Sequence, residues 1–216
     1  MFIGHYAVAL AAKKAAPKTS LGTLFIGAQL IDLLWPLFLL AGWEHVRVDP
    51  GNTAVTPLDF YDYPISHSLL GTALWALLFG LLYFAIRKYR AGAIVAGLCV
   101  LSHWVLDYLT HRADLPLTFQ GDRMFGLGLW NSVPGTLIVE LGLFAAGIAI
   151  YLQTTKKKDR TGVLAFWGLM GLLLVIYLSN LFGPPPPEPA VIAIAGNGAW
   201  LFILWAYWAD KHRSAS

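Results

Sequence analysis

Apolar positions in this chain do not alternate with polar ones; they collect into long, nearly unbroken runs. Six runs approach the roughly 20 helical residues that a bilayer core demands. They are approximately Leu21–Ala41, His67–Ile86, Ala91–Tyr108, Pro134–Leu152, Val163–Phe182 and Ala190–Trp208. An isolated strand or irregular loop cannot cross lipid, which offers no partners for backbone N–H and C=O groups. The pattern therefore predicts an all-α protein: a polytopic membrane helical bundle with about six transmembrane helices in one membrane domain, residues 1–216. A further apolar stretch, Phe2–Ala12, is too short to span. Its charges follow it rather than precede it, the wrong order for a cleavable signal peptide. It fits a short N-terminal half-helix paired against the first span, which carries His5 to mid-depth. It also fits an interfacial helix, which leaves His5 near the membrane surface. Pro184–Pro187 is a stiff connector marking a sharp exit from the fifth span.

Composition narrows the classes. Hydrophobic residues make up 57% and charged residues 12%, and mean hydropathy is +0.62; a soluble globular domain and a disordered chain are both excluded. A net charge of +3 is too small for a nucleic-acid surface. The single cysteine, Cys99, excludes a disulfide framework and a Cys-based zinc site. Basic residues set the orientation. Lys13, Lys14 and Lys18 precede the first span. Arg87, Lys88 and Arg90 join the second to the third, Lys156–Lys158 and Arg160 join the fourth to the fifth, and Lys211 and Arg213 follow the sixth. All fall on one side, which the positive-inside rule assigns to the cytoplasm. The expectation is a multi-pass inner-membrane protein whose partner is the bilayer and whose N- and C-terminal basic segments are cytoplasmic.

Candidate chemistry comes from polar residues inside the spans. Asp32, Asp107 and Glu140 lie there with no Lys or Arg. An ionisable side chain at such depth costs at least ~2.5 kcal/mol and marks function by default. Such acids are protonated, open to a water cavity, or bound to a cation. Histidines at similar depth favour the cation, because imidazole and carboxylate form the ligand set of zinc and related divalent metals. At ~1.5 Å per residue, Asp32 lies ~13 Å inside the outer end of its span, Glu140 ~9 Å and His103 ~8 Å. Asp107 and His67 sit near the outer boundary, so one outward-opening pocket can contain all five.

The densest cluster runs from Ser102 to Asp114. If its helix continues to Pro116, then at about 100° per residue His103, Asp107, His111 and Asp114 share one stripe. His103 and Asp107, one turn apart, can grip an ion, with His111 and Asp114 above as supporting or substrate-contacting groups. Pro36 cannot donate to the helix ladder and crowds the carbonyl of Asp32, predicting a kink beside that carboxylate. In Tyr63-Pro64-Ile65-Ser66-His67-Ser68, Ser66 suits a helix cap. His67 projects from the first turn, and Ser68 orients it, touches substrate or serves as a nucleophile. Glu140 is open between ligand, general base and protonated acid.

The order His5, then Asp32 with a following proline, then His67-Ser68, then His103-x-x-x-Asp107 resembles the YdjM-like family of membrane-bound, predicted metal-dependent hydrolases. The resemblance covers Phe2 to Leu117, the motif-bearing half (1–117), and leaves 118–216 as supporting helices. The stretch Gly126–Thr136 is also similar to some members. That family is thought to be distantly similar to zinc-dependent phospholipases C. The resemblance implies His5, Asp32, His67, His103 and Asp107 as metal ligands. Where many members carry a second acid close to Asp32, this chain has Leu30 and Leu34.

Together these features predict a zinc-dependent hydrolase of an ester or phosphoester in a lipid-like substrate. Glu140 or Asp114 would act as base, and the loop Gly42–Ile65, carrying Asp59 and Asp62, would cover the mouth. The alternative is a metal-ion or proton-coupled transporter using the same residues. The spans show no paired repeat halves and no ionisable residues in their inner halves to complete a path.

Overall fold

A computed structural model describes residues 1–121 and 123–215. The chain opens with α1 (Ile3–Ala15) and α2 (Leu21–Ala41), followed by the hairpin β1 (His45–Val48) and β2 (Leu58–Asp62). A single-turn α3 (Pro64–His67) leads into α4 (Leu69–Arg87) and α5 (Arg90–Thr110). A two-residue pairing of β3 (Leu115–Pro116) with β4 (Met124–Phe125) precedes α6 (Val133–Thr154). After β5 (Thr155–Lys157) come α7 (Thr161–Phe182), α8 (Pro189–Gly196), α9 (Ala199–Lys211) and β6 (Arg213–Ala215), the last paired with β5. Among the described residues, six helical units are long and apolar enough to cross a membrane: α2, α4, α5, α6, α7 and the α8–α9 pair. The chain is thus a multi-pass, all-α membrane bundle.

Local chemistry sets the helix ends. Ser20 caps α2 by accepting from Thr23 N, and Gly42 closes it with φ +68°, where a side chain would be strained. Ser132 caps α6, with Pro134 in its first turn. The predicted second span does not begin at His67. The backbone turns extended at Ser68, whose Oγ caps α4 by accepting from Gly71 N at 3.0 Å. A Cβ on Gly71 would fall 2.7 Å from the Ile65 carbonyl, so α3 can fold against α4 only because that position is glycine. The sixth span is interrupted between Gly196 and Ala199.

The continuous helix expected up to Pro116 ends instead at Thr110, and His111 is extended. The cause is tertiary. Leu127 N bonds the Tyr108 carbonyl at 2.8 Å, and Gly128 N bonds the His111 carbonyl at 2.7 Å. The 126–128 segment therefore takes carbonyls that another helical turn would need. Gly126 permits the approach, since a Cβ there would lie 2.0 Å from the Arg112 carbonyl.

Lipid provides no hydrophobic drive between helices, so close backbone approach and polar contacts hold them together. Ala76 and Gly80 of α4 meet Ala93 and Gly97 of α5, carbonyl against α-carbon. The half-helix α1 lies inside the bundle, against α2, α5 and above all α6. At the α6 crossing, a Cβ on Gly147 would lie 2.6 Å from the Ala7 carbonyl. Of the two placements open to Phe2–Ala12, this is the buried one: Ile3, His5, Ala9 and Leu10 have no exposed surface.

Candidate metal centre

Four helical elements deliver the five side chains. His5 comes from α1, Asp32 from α2, His67 from α3, and His103 and Asp107 from successive turns of α5. His5, His103 and Asp107 place one ligand atom each within 4.8 Å of one another, and so do Asp32, His67 and His103. His103 belongs to both groups and is the hub. Its Nε2 lies 3.1 Å from Asp107 Oδ2 and 3.5 Å from Asp32 Oδ1. His67 Nε2 lies 3.4 Å from Asp32 Oδ1 and 3.9 Å from Asp107 Oδ2. His5 Nε2 meets Asp107 Oδ1 at 3.1 Å, and its ring stacks on that of His103 with centroids 3.7 Å apart.

The tautomer of His103 follows from its anchor. Its Nδ1 is 2.9 Å from the Ala28 carbonyl, which can only accept. Nδ1 therefore carries a proton, and in the neutral imidazole the lone pair is on Nε2. That Nε2 is buried and faces both carboxylates. Imidazole nitrogen and carboxylate oxygens so gathered could hold a divalent metal, whose ligand set they match.

The remaining candidates separate from this centre. Glu140 is buried and accepts from Phe2 N at 2.9 Å and Gly4 N at 3.3 Å. Its negative charge thus caps the N-terminus of α1, where unpaired N–H groups and the helix dipole favour it. His111 and Asp114 leave the predicted stripe with the end of α5 and pair with each other, Nδ1 to Oδ1 at 2.9 Å. Tyr63 donates to the same Asp114 oxygen at 3.2 Å, and Arg112 Nε to the other at 3.3 Å. Burial lowers the His111 imidazolium's pKa despite the pull of Asp114. Burial and Asp114 together push the Tyr63 phenol well above its ordinary range. Ser68 is committed to capping α4. Asp59 and Asp62 of the covering loop hold the hairpin instead, Asp59 between Arg47 and Arg112 and Asp62 on His45.

Sequence reasoning missed three groups. The Met1 amine, a cation, reaches Asp107 Oδ1 at 2.5 Å. Among the described residues, the ion-pair neighbours of Asp32 are imidazoles alone. Glu44, buried just past α2, accepts from Ser66 N and Ser66 Oγ. Ser66, expected to cap a helix, instead lies 2.7 Å from His67 Nδ1. The one available signal was an acid in an otherwise apolar Gly-Trp-Glu turn.

Asp32, His67, Asp107, His111 and Glu140 line a cavity of about 850 Å³. Ile176 and Leu181 of α7, Val191, Ile192 and Ala195 of α8, and Phe202 of α9 also line it, as do the β1–β2 connection and Pro184–Pro186. Comparison with protein-family models, curated proteins and solved structures returns no match for this chain.

Proposed function

We propose that this protein is a membrane-embedded, metal-dependent hydrolase, with zinc as the metal and a lipid-like ester or phosphoester as substrate. The observation that carries the reading is the buried Nε2 of His103, set between two carboxylates while Ala28 holds the Nδ1 proton. His5, Asp32, His67, His103 and Asp107 would hold the ion. When bound, zinc supplies Lewis acidity and an acidified water. The chain's own residues do the rest. His111 lines the cavity with its Nδ1 proton held by Asp114, so its Nε2 is the group placed to accept and return a proton. Asp114 orients that imidazole and, with its oxygens occupied by His111, Tyr63 and Arg112, is not itself the base. Glu140 is likewise engaged at α1 and leaves the role to His111.

Substrate class follows from the cavity. One set of lining residues is charged and the other aliphatic, as an amphiphile's head and chain require. Both α6 and α7 line it, yet α6 packs on α1 while α7 packs on α9, so a chain can enter from lipid between them. The basic clusters support a reading in which the opposite end of the bundle is cytoplasmic and the site lies in the outer half of an inner membrane. The resemblance to YdjM-like proteins belongs to the same proposal.

Metal analysis of the purified protein tests the first half. The expected result is a transition metal that is lost in His103→Ala; a metal-free wild type rejects the reading. Phosphodiesterase and lipase assays on micellar substrates test the second half. Transport is the alternative reading. It draws less support, because the acid at the other end, Asp210, is already bound by Lys13. Zinc or manganese uptake into proteoliposomes that stops with Asp32→Asn would reverse the order.

A further inference from the structure

His67 differs from His103 in what holds it. His103 is anchored by a backbone carbonyl, whereas His67 is anchored by a side chain that is itself anchored. Glu44 grips Ser66 twice: Oε1 accepts from Ser66 N at 2.7 Å, and Oε2 accepts from Ser66 Oγ at 2.6 Å. All three residues are buried, with exposures of 1% for Glu44, 0% for Ser66 and 4% for His67. A serine hydroxyl has one proton. A second acceptor, the Tyr63 carbonyl, lies 3.5 Å away and cannot compete with a carboxylate at 2.6 Å. Once that proton points at Glu44, Ser66 Oγ has only lone pairs left for His67 Nδ1, 2.7 Å away. The imidazole must then carry a proton on Nδ1, so in its neutral form the lone pair is on Nε2, facing Asp32 and Asp107.

We infer that Glu44, acting through Ser66, is a positioning residue for His67: it fixes the tautomer and ring orientation that turn Nε2 into a metal ligand. The inference rests on the metal-site reading but makes its own claim about an acid 23 positions away in the chain, beyond the end of α2. Because Glu44 immediately precedes β1, the relay also ties the covering hairpin to the centre beneath it.

Two measurements on the full chain in detergent test it. The first is the ¹⁵N side-chain spectrum of His67, assigned by its loss in His67→Gln. The expected wild-type signal is the Nδ1–H tautomer. In Ser66→Ala and Glu44→Gln that preference is lost. With Ser66→Ala the Oγ acceptor is gone. With Glu44→Gln the amide must face either Ser66 N or Ser66 Oγ with its own donors. The second is Zn²⁺ affinity by chelator competition, expected to fall about 10–100-fold in both variants, the range for groups that orient ligands, and to be kept by Ser66→Thr, which restores the hydroxyl. An Nε2–H tautomer in the wild type overturns the inference whatever the metal result. Wild-type affinity in a folded Ser66→Ala protein overturns it as well. If the wild type shows the Nδ1–H tautomer and Ser66→Ala abolishes it, yet no Zn²⁺ binds, the relay stands and the metal reading falls. If Glu44→Gln fails to fold, the Ser66→Ala and Ser66→Thr pair decides alone.

Discussion

Asp210 and Asp32 are both acids on membrane helices of one bundle, and their surroundings differ in kind. Around Asp210, Lys13 Nζ donates at 2.8 Å, Tyr151 Oη at 2.9 Å and Leu21 N at 3.1 Å. Nearby, the Arg213 guanidinium lies over the rings of Tyr151 and Phe166 and donates to Thr155 and Gly162. The neighbours of Asp210 are donors, and one is a full cation. Around Asp107 and Asp32 stand three imidazoles, two of them anchored through Nδ1 by Ala28 and Ser66 so that Nε2 faces the carboxylates, and the Met1 ammonium reaches Asp107. What differs is the cation: Lys13 sits on Asp210 and the Met1 ammonium on Asp107, whereas among the described residues Asp32 has imidazoles alone; on the proposed reading, that is the gap an ion fills.

Substitutions can break this contrast. The largest effect is expected from Asp32→Asn on metal binding, a loss of more than about 100-fold, beyond the range of supporting residues. The unfolding temperature of the metal-free protein should stay put, because no donor loses its partner; equilibrium dialysis and a thermal melt in detergent measure both. Asp210→Ala should do the reverse. It strands the buried ammonium of Lys13, costs about 3 kcal/mol of stability, and leaves zinc affinity per folded molecule intact. Gly147→Val joins the two ends through α1. Its added Cβ lies 2.6 Å from the Ala7 carbonyl, before the rest of the side chain is counted. The expected cost is about 1–3 kcal/mol together with weaker zinc binding as His5 retreats. If affinity survives in a destabilised Gly147→Val protein, His5 is no ligand.

The smallest effect belongs to Asp159, exposed at the basic end. The hydrogen bond from His212, then that from Gly162 N, holds its carboxyl below the ordinary 3.8. A depressed carboxyl stabilises above the unfolded pKa, and that contribution disappears as pH falls through the lower folded value. Asp159→Ala should therefore melt slightly earlier than wild type at pH 5–7, with the two converging once pH falls below the lowered carboxyl pKa.

The spans were legible because lipid imposes a length and forbids exposed backbone, constraints written locally in the chain. His103 and Asp107 were legible because a helix fixes their spacing, and Asp32 because an acid with no basic neighbour stands out among leucines. The end of α5 was not, since the groups that stop it arrive from residues 126–128 through tertiary bonds. With that end, His111 and Asp114 moved off the stripe and became a pair of their own. Glu44 was hidden because a hairpin separates it from Ser66, and no periodicity links a turn acid to a serine 22 positions on. Glu140 carried an open role: it lines the same cavity as Asp32 and Asp107, and only the fold showed the first turn of α1 resting on it.

That rest has a consequence for biogenesis. Gly4 and Glu140 are 136 positions apart, and the carboxylate that seats the start of α1 belongs to the fourth crossing. His5 can take its place only after that crossing has been inserted, although it is the earliest of the five ligands to be synthesised. A nascent chain with two or three helices in the bilayer has an unfinished cage, so if the proposed metal binds, its loading would report that assembly has passed the fourth insertion.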